Sequence, residues 1–546
     1  MILPQASMPF QQVRPPLPPP VSTSYSSMCN LLFYLSLFCV EGAIIGLYAL
    51  IAYETFTGFT QNGWGTYDTF TGTNAFNIYV RNDPIGNLLN FHTNLVDQYV
   101  FMLIGFAFLI VFLRFHRWMS LAMTFFACAL AIQLTILWTI FFLNVYNTNY
   151  ICRFNWTNPY LTTNDFTTFF TYFTYGVRGA VAVLITLGAL IGKIDAFQVL
   201  IIVIIEVIIF TANEMICCRI IHCRDMGGCF YIHAFGSMTG IIASWIYTQK
   251  SNCKNNPNIN GSYFSSTSTF IGTFFLWVTF PAFNTFNPSI DYATPWSSYI
   301  LGMENTFFAL TASTISAMWM SLILYNGKFN WEGVCFATLA GGIIISGSCD
   351  MFAYPWPPLL IGCFGGIFSM ICFAYLRQFL EKIFIYDTRG ILELHYISSL
   401  LGMAVAASQA TFLDRQSYFS LWWVSQTLSY LTPLYMFNTS GSYLGAMELF
   451  AFLISSGLGI GTGIVIGIVL RFWRIYSLPE DTFGDHIWWK MVQDETNLAE
   501  INDVPPLSNV SVMNPRVISP RKISPRIISP RNVTEFPITN VGAQVY

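Results

Sequence analysis

Long apolar runs recur along this chain, separated by short polar stretches. They lie at about 29–53, 94–115, 118–146, 167–192, 195–218, 227–248, 265–288, 297–325, 332–352, 355–378, 392–412 and 443–471. At ~1.5 Å of rise per helical residue, runs of this length approach or cross a hydrocarbon layer ~30 Å thick. Inside such a layer each backbone N–H and C=O must be paired within the protein, and for separate apolar segments the helix does this. The pattern predicts an all-α polytopic membrane protein with about twelve transmembrane helices. The stretch 417–437 is also apolar. Its adjacent Trp422 and Trp423 and its Pro433 fit an interfacial loop better than a thirteenth span.

Composition agrees with this reading and removes the soluble one. Of 546 residues, 54% are hydrophobic and 9% are charged, against roughly 25% charged in ordinary globular domains. A net charge of −3 gives no electrostatic reason to expect a nucleic-acid partner. Residues 1–28 are rich in Pro and Ser and read as a disordered head. They are no secretory signal, because the first apolar run is too long and lies too deep. The expected organisation is head 1–28, membrane domain 29–472 and polar tail 473–546. The tail carries three copies of Ile-Ser-Pro-Arg between 518 and 531. These read as a basic low-complexity tail, or as a Ser-Pro phosphorylation array whose added phosphate alters attraction to anionic lipid.

Short-loop charges set the expected orientation. With twelve spans and a cytosolic start, Arg114, Arg117, Lys193, Lys250, Lys254, Lys328, Arg377, Lys382, Arg471 and Arg474 fall inside. Fewer fall outside, chiefly Arg81, Arg153, Arg219, Arg224 and Arg415, so both termini are expected in the cytosol. The sequons at Asn155 and Asn438 then face outward as glycosylation candidates, whereas the one at Asn260 faces inward. Thirteen cysteines show no paired metal-ligand spacing, and the cluster Cys217, Cys218, Cys223 and Cys229 is expected as buried free thiols.

Two helix starts share one pattern. Asp225-Met-Gly-Gly228-Cys-Phe-Tyr-Ile-His233 and Asp387-Thr-Arg-Gly390-Ile-Leu-Glu-Leu-His395 both read Asp-x-x-Gly-x-x-x-x-His. The aspartate suits an N-terminal cap. Eight residues later the histidine lies ~12 Å along the helix, near the membrane midplane. The copies open the sixth and eleventh spans. Five spans separate them, an odd number, so they enter from opposite faces as an inverted repeat. Such repeats bring equivalent residues together at a central interface. A histidine pair there can share a proton and line a path for a small polar solute, bind a metal, or serve as a buried structural bond. Metal binding needs more ligands than the sequence places. No nucleophile elbow, phosphate loop or zinc signature supports an enzyme, and no cofactor is implied.

Several segments resemble the Rhesus (Rh) glycoproteins of the ammonium transporter superfamily. They are Gly188-Ala-Leu-Ile-Gly-Lys193, Asn213-Glu214, Asp225 through Gly236, Phe270 through Trp277 with Pro281-Ala-Phe-Asn284, Ala337 through Gly342, Phe379-Leu-Glu-Lys382 with Asp387-Thr, and Phe483-Gly-Asp with Trp488-Trp-Lys-Met. The resemblance covers about residues 30–492 in order. It implies the ammonium-transporter fold with an inverted five-helix repeat, and a homotrimer in the plasma membrane with a narrow apolar pore per subunit. The substrate it implies is ammonia/ammonium or a similar small amine. It maps the pore histidines onto His233 and His395, the vestibule aspartate onto Asp225, and the inner gate phenylalanine onto Phe283.

The sequence also departs from that family. The position of the outer gate phenylalanine falls on Arg178, a cation that would repel ammonium, plug the pore, or turn aside to pair with Glu214 or Glu206. Tyr396 follows His395 where the family has a small residue, and is expected to crowd helices or fill the lumen. Glu393 is expected on the helix face opposite His395, since two residues turn ~200°. Phe336 stands where the family tends to have Asn. The leading expectation is a channel or facilitated transporter for ammonia/ammonium or a similar small amine; Arg178, Phe336 and Tyr396 motivate the alternative, a non-conducting Rh-like scaffold or sensor.

Overall fold

A computed structural model of the chain describes residues 34–48, 93–110, 117–148, 166–248, 263–285, 296–412 and 441–473. The described residues form helices and their connections, in the places the apolar runs predict. In chain order these are α1 (Tyr34–Tyr48), α2 (Thr93–Ile110), α3 (Arg117–Thr148), α4 (Phe166–Leu190) and α5 (Ala196–Met215, continued by a π turn Ile216–Ile220). Next come α6 (Cys229–Tyr247), α7 (Tyr263–Thr285), α8 (Trp296–Leu324), α9 (Trp331–Ser346) and α10 (Trp356–Lys382). The last two are α11 (Leu392–Tyr396, then Ile397–Phe412) and α12 (Gly441–Trp473). Eight of these are long and apolar enough to cross a membrane, and α1 and α9 are shorter apolar helices. The stretch 417–437, the sequons at Asn155, Asn260 and Asn438, the head 1–28 and the Ile-Ser-Pro-Arg tail lie outside the described residues.

Packing preserves the repeat. Helix α3 packs on α4 and α5, and α4 on α6. Five helices later, α8 packs on α9 and α10, and α9 on α11. Helix α4 lies at the centre, with every residue from Thr174 to Leu190 buried. The outward faces carry large apolar side chains, including Phe274, Val278, Ile315, Phe364, Phe412 and Phe472. An apolar exterior is what lipid contact requires.

The connections are polar and well bonded. Asp195 caps α5 in a capping box with Gln198, and burial pushes its carboxyl up to about 6. Lys193 donates to the carbonyls of Ala189 and Tyr386 and to Ser244 Oγ, tying α4 and α6 to the lead-in of α11. At the opposite end, Arg224 forms a buried ion pair with Asp350, and its amide donates to Glu448. Cys217, Cys218, Cys223 and Cys229 are buried free thiols, as expected.

Candidate functional site

The two Asp-x-x-Gly-x-x-x-x-His segments adopt one local structure. Asp225 accepts from the amides of Cys229, Phe230 and Tyr231, at 2.5, 2.6 and 3.3 Å. Asp387 accepts from the amides of Leu392 and Arg389, at 2.8 and 3.3 Å. Each motif glycine takes a left-handed backbone, with φ +78° at Gly228 and +66° at Gly390, which explains why glycine stands at both places. Each histidine then sits in a π turn, Cys229–Ala234 or Leu392–Tyr396. Such turns add a residue to the helical circuit and so re-aim side chains. Asp225 lies in the connection before α6. Burial pushes its carboxyl up to about 6, and the capping amides and the Arg178 charge oppose that rise.

The two π turns bring the histidines together. His233 Nδ1 and His395 Nδ1 are 3.1 Å apart, and the rings stack at 5.2 Å with 14° between planes. Both are buried, and neither Nε2 has a hydrogen-bond partner in the protein. A bond between two Nδ1 atoms holds one proton. In a neutral pair one outer Nε2 is therefore a donor and the other an acceptor. Exchanging the roles takes two protons: the shared one crosses between the Nδ1 atoms, and the Nε2 proton passes from one ring to the other through the solute. A small solute that both donates and accepts finds complementary partners here.

An aromatic column leads away from the pair. Phe280 stacks on His233 and Phe106 on His395, each at 6.4 Å. Phe101 meets both phenylalanines edge-on, at 5.1 and 5.5 Å, and stacks on Phe283 at 4.4 Å with 9° between planes. All four phenylalanines are buried. Such a lining imposes a large desolvation cost on an ion and a much smaller one on a neutral polar molecule. Phe280 lies one helical turn before Phe283, so sequence spacing could have found it. Phe101 and Phe106 come from α2, where no local signal separates them from other buried apolar residues.

Arg178, on α4, stands at the Phe283 end and is fully buried. Its guanidinium lies 5.3 Å from the Phe283 ring centroid. It donates to Tyr231 Oη at 2.5 Å and to the carbonyls of Met226 and Phe283 at 3.2 Å. Pairing with Glu206 is not what the structure shows: Glu206 accepts from Thr186 Oγ1 at 2.6 Å. Glu214 is buried at the end of α5.

Tyr396 turns toward α12, its ring 5.9 Å from that of Phe452, and does not enter the column. Phe336 packs edge-on to Phe373, with the Arg389 guanidinium 5.0 Å from its centroid. Among the described residues, no group of three or more His, Cys, Asp or Glu side chains is placed to hold a metal.

The fold and this repeated capped turn define a polytopic α-helical protein of transporter type. The Ammonium Transporter Family model matches residues 80–478, and the chain belongs to that family. It is similar to ammonium transporter Rh type B of Danio rerio, with 27% identity over 82% of this chain and 93% of the relative. It is also similar to ammonium transporter Rh type C of Rattus norvegicus, with 32% identity over 58% of this chain and 63% of that one. In fold it matches Rh50 of Nitrosomonas europaea, with a TM-score of 0.58 and 20% identity over 76% of this chain and 96% of that one. Mep2 of Candida albicans matches with a TM-score of 0.54 and 16% identity, over 78% and 93% of the two chains.

Proposed function

We propose that this chain is a channel or facilitated transporter for ammonia/ammonium or a similar small amine, conducting along the aromatic column and past His233 and His395. The observation that carries the reading is the buried, mutually hydrogen-bonded histidine pair, whose outer nitrogens have no protein partner. Ammonia, which ammonium becomes on losing a proton, is small, neutral and able both to donate and to accept, as the pair requires. Asp225 holds the turn that aims His233, and Phe283 with Phe101 closes the column. In the assembly proposed, three copies each carry one such path in the plasma membrane, with both termini in the cytosol and lipid around the apolar exterior.

The test is a proteoliposome exposed to an ammonium gradient. Internal pH changes several-fold faster than in empty liposomes, and His233→Ala alters that rate. A rate equal to that of empty liposomes overturns the reading.

Arg178 supports a second reading, a non-conducting scaffold or sensor. A guanidinium fixed among Tyr231, Met226 and Phe283 places positive charge and bulk at one end of the column. If the wild type is silent and Arg178→Phe conducts, the second reading replaces the first.

A further inference from the structure

Glu393 shares the π turn of His395 but is used by nothing described so far. It is fully buried, and neither carboxylate oxygen has a hydrogen-bond partner. Its Oε2 tucks back against the motif glycine: a Cβ built on Gly390 would lie 3.3 Å from Oε2 and 3.3 Å from the Phe336 ring. The carboxylate therefore lies beside Phe336 of α9, within electrostatic reach of Cys372 and Arg377 of α10. The titratable groups around it are Glu332 of α9, Cys372 and Arg377 of α10, and Asp387 and Arg389 of the lead-in.

The pairing among these groups is uneven. Glu332 Oε1 accepts from both guanidiniums, Arg377 Nη1 and Arg389 Nη1, each at 3.3 Å. Arg377 also donates to the Thr388 carbonyl at 3.2 Å. One carboxylate thus serves two cations, while Glu393 serves none. An ionised, unpaired carboxylate buried in this way is unfavourable, and protonation removes most of the penalty. Arg377 is the guanidinium with room to move. Its side chain is 23% exposed, against 2% for Arg389.

We propose that Glu393 is a proton-binding site reached from the face bearing Lys328 and Lys382, and that Arg377 exchanges between Glu332 and Glu393 as the proton leaves. The step balances simply: the carboxylic acid gives its proton to water on that face and becomes a carboxylate, which Arg377 then pairs. In pairing it, Arg377 releases the Thr388 carbonyl and loosens the lead-in whose Asp387 caps the turn of His395. Glu393 acts as a positioning residue through that turn. Its effect on flux rests on the transport reading above, but the proton site does not.

Infrared titration of the protein in lipid bilayers tests the site directly. The wild type shows a protonated-carboxyl band that disappears reversibly as pH rises, and Glu393→Gln lacks it. Glu393→Asp retains a displaced band, which separates loss of the group from loss of the fold. Glu332→Gln frees Arg377 and moves the disappearance of the band to lower pH by about one unit. Identical bands in wild type and Glu393→Gln overturn the proton site. An unmoved titration in Glu332→Gln overturns the exchange of Arg377. In proteoliposomes, flux varies with the pH on that face in the wild type and is flat in Glu393→Gln. A conducting variant with an unchanged profile overturns the link to His395, and a wild type without flux overturns the transport reading while the infrared result stands.

Discussion

At the scale of single residues, the chemistry rests on buried polar groups that few partners satisfy. Arg178 is the heaviest commitment. Replacing it with Met would leave Tyr231 Oη and the Met226 and Phe283 carbonyls without its donors, a cost of about 1–3 kcal/mol for each buried group left unpaired. Arg178→Met is therefore expected to lower the melting temperature in detergent more than Arg178→Lys, which keeps a donor, and circular dichroism on heating measures the difference. Asp225 gives a pH signature. Its folded carboxyl titrates at about 6 against an ordinary value of 3.8. The folded state thus binds this proton more tightly, so the stabilisation is complete below 3.8 and is lost as pH rises through 6. Two pH units correspond to about 3 kcal/mol. Stability of the wild type falls across that window, and Asp225→Asn, which can still cap, flattens the fall in a denaturation series at fixed ionic strength. The sequence made the cap and both histidines readable, because Asp-x-x-Gly-x-x-x-x-His is a local pattern with a physical meaning at each place. It left the neighbours of Arg178 open, since Tyr231, Met226 and Phe283 are brought to it from two other segments.

At the scale of elements, the unit is a capped, glycine-started π turn used twice. Both glycines are held at positive φ, so a Cβ is strained at either place by about 1–2 kcal/mol. The surroundings then differ. A Cβ at Gly228 would lie 2.3 Å from the side chain of Ile232 in its own turn, whereas one at Gly390 would lie 3.3 Å from Glu393 and Phe336, a tight contact that a small shift of either relieves. Gly228→Ala is expected to destabilise more than Gly390→Ala, by at least the cost of displacing Ile232, and paired thermal melts measure the ranking. The π geometry itself was not legible in advance. A spacing of eight residues from Asp to His is compatible with an α-helix, and the extra residue per turn shows only once the amides of 229–231 and 392 converge on their aspartates. The same limit hid Phe101. Its stacking on Phe283 depends on how α2 packs against α7, and long-range packing leaves no trace in the periodicity of either helix.

At the scale of the whole molecule, span positions were the most readable feature, because a hydrocarbon layer demands long apolar runs regardless of sequence detail. The inverted repeat was readable as well, from two short motifs an odd number of spans apart, and the matched packing of α3–α6 and α8–α11 agrees with it. Orientation follows from loop charge and makes a prediction that the packing cannot satisfy by accident. Lys328 lies between α8 and α9, and Tyr354 between α9 and α10, so one helix separates them and they must emerge on opposite faces. Positive-inside reasoning puts Lys328 in the cytosol and Tyr354 outside. Both side chains are exposed, and most described cysteines are buried. A membrane-impermeant maleimide applied to intact cells is therefore expected to label Tyr354→Cys well above background and to label Lys328→Cys only after the membrane is opened. Reversed labelling would invert the molecule in the membrane. Glu393 would then exchange protons with the outer solution, and Arg178 would stand at the cytosolic end of the column.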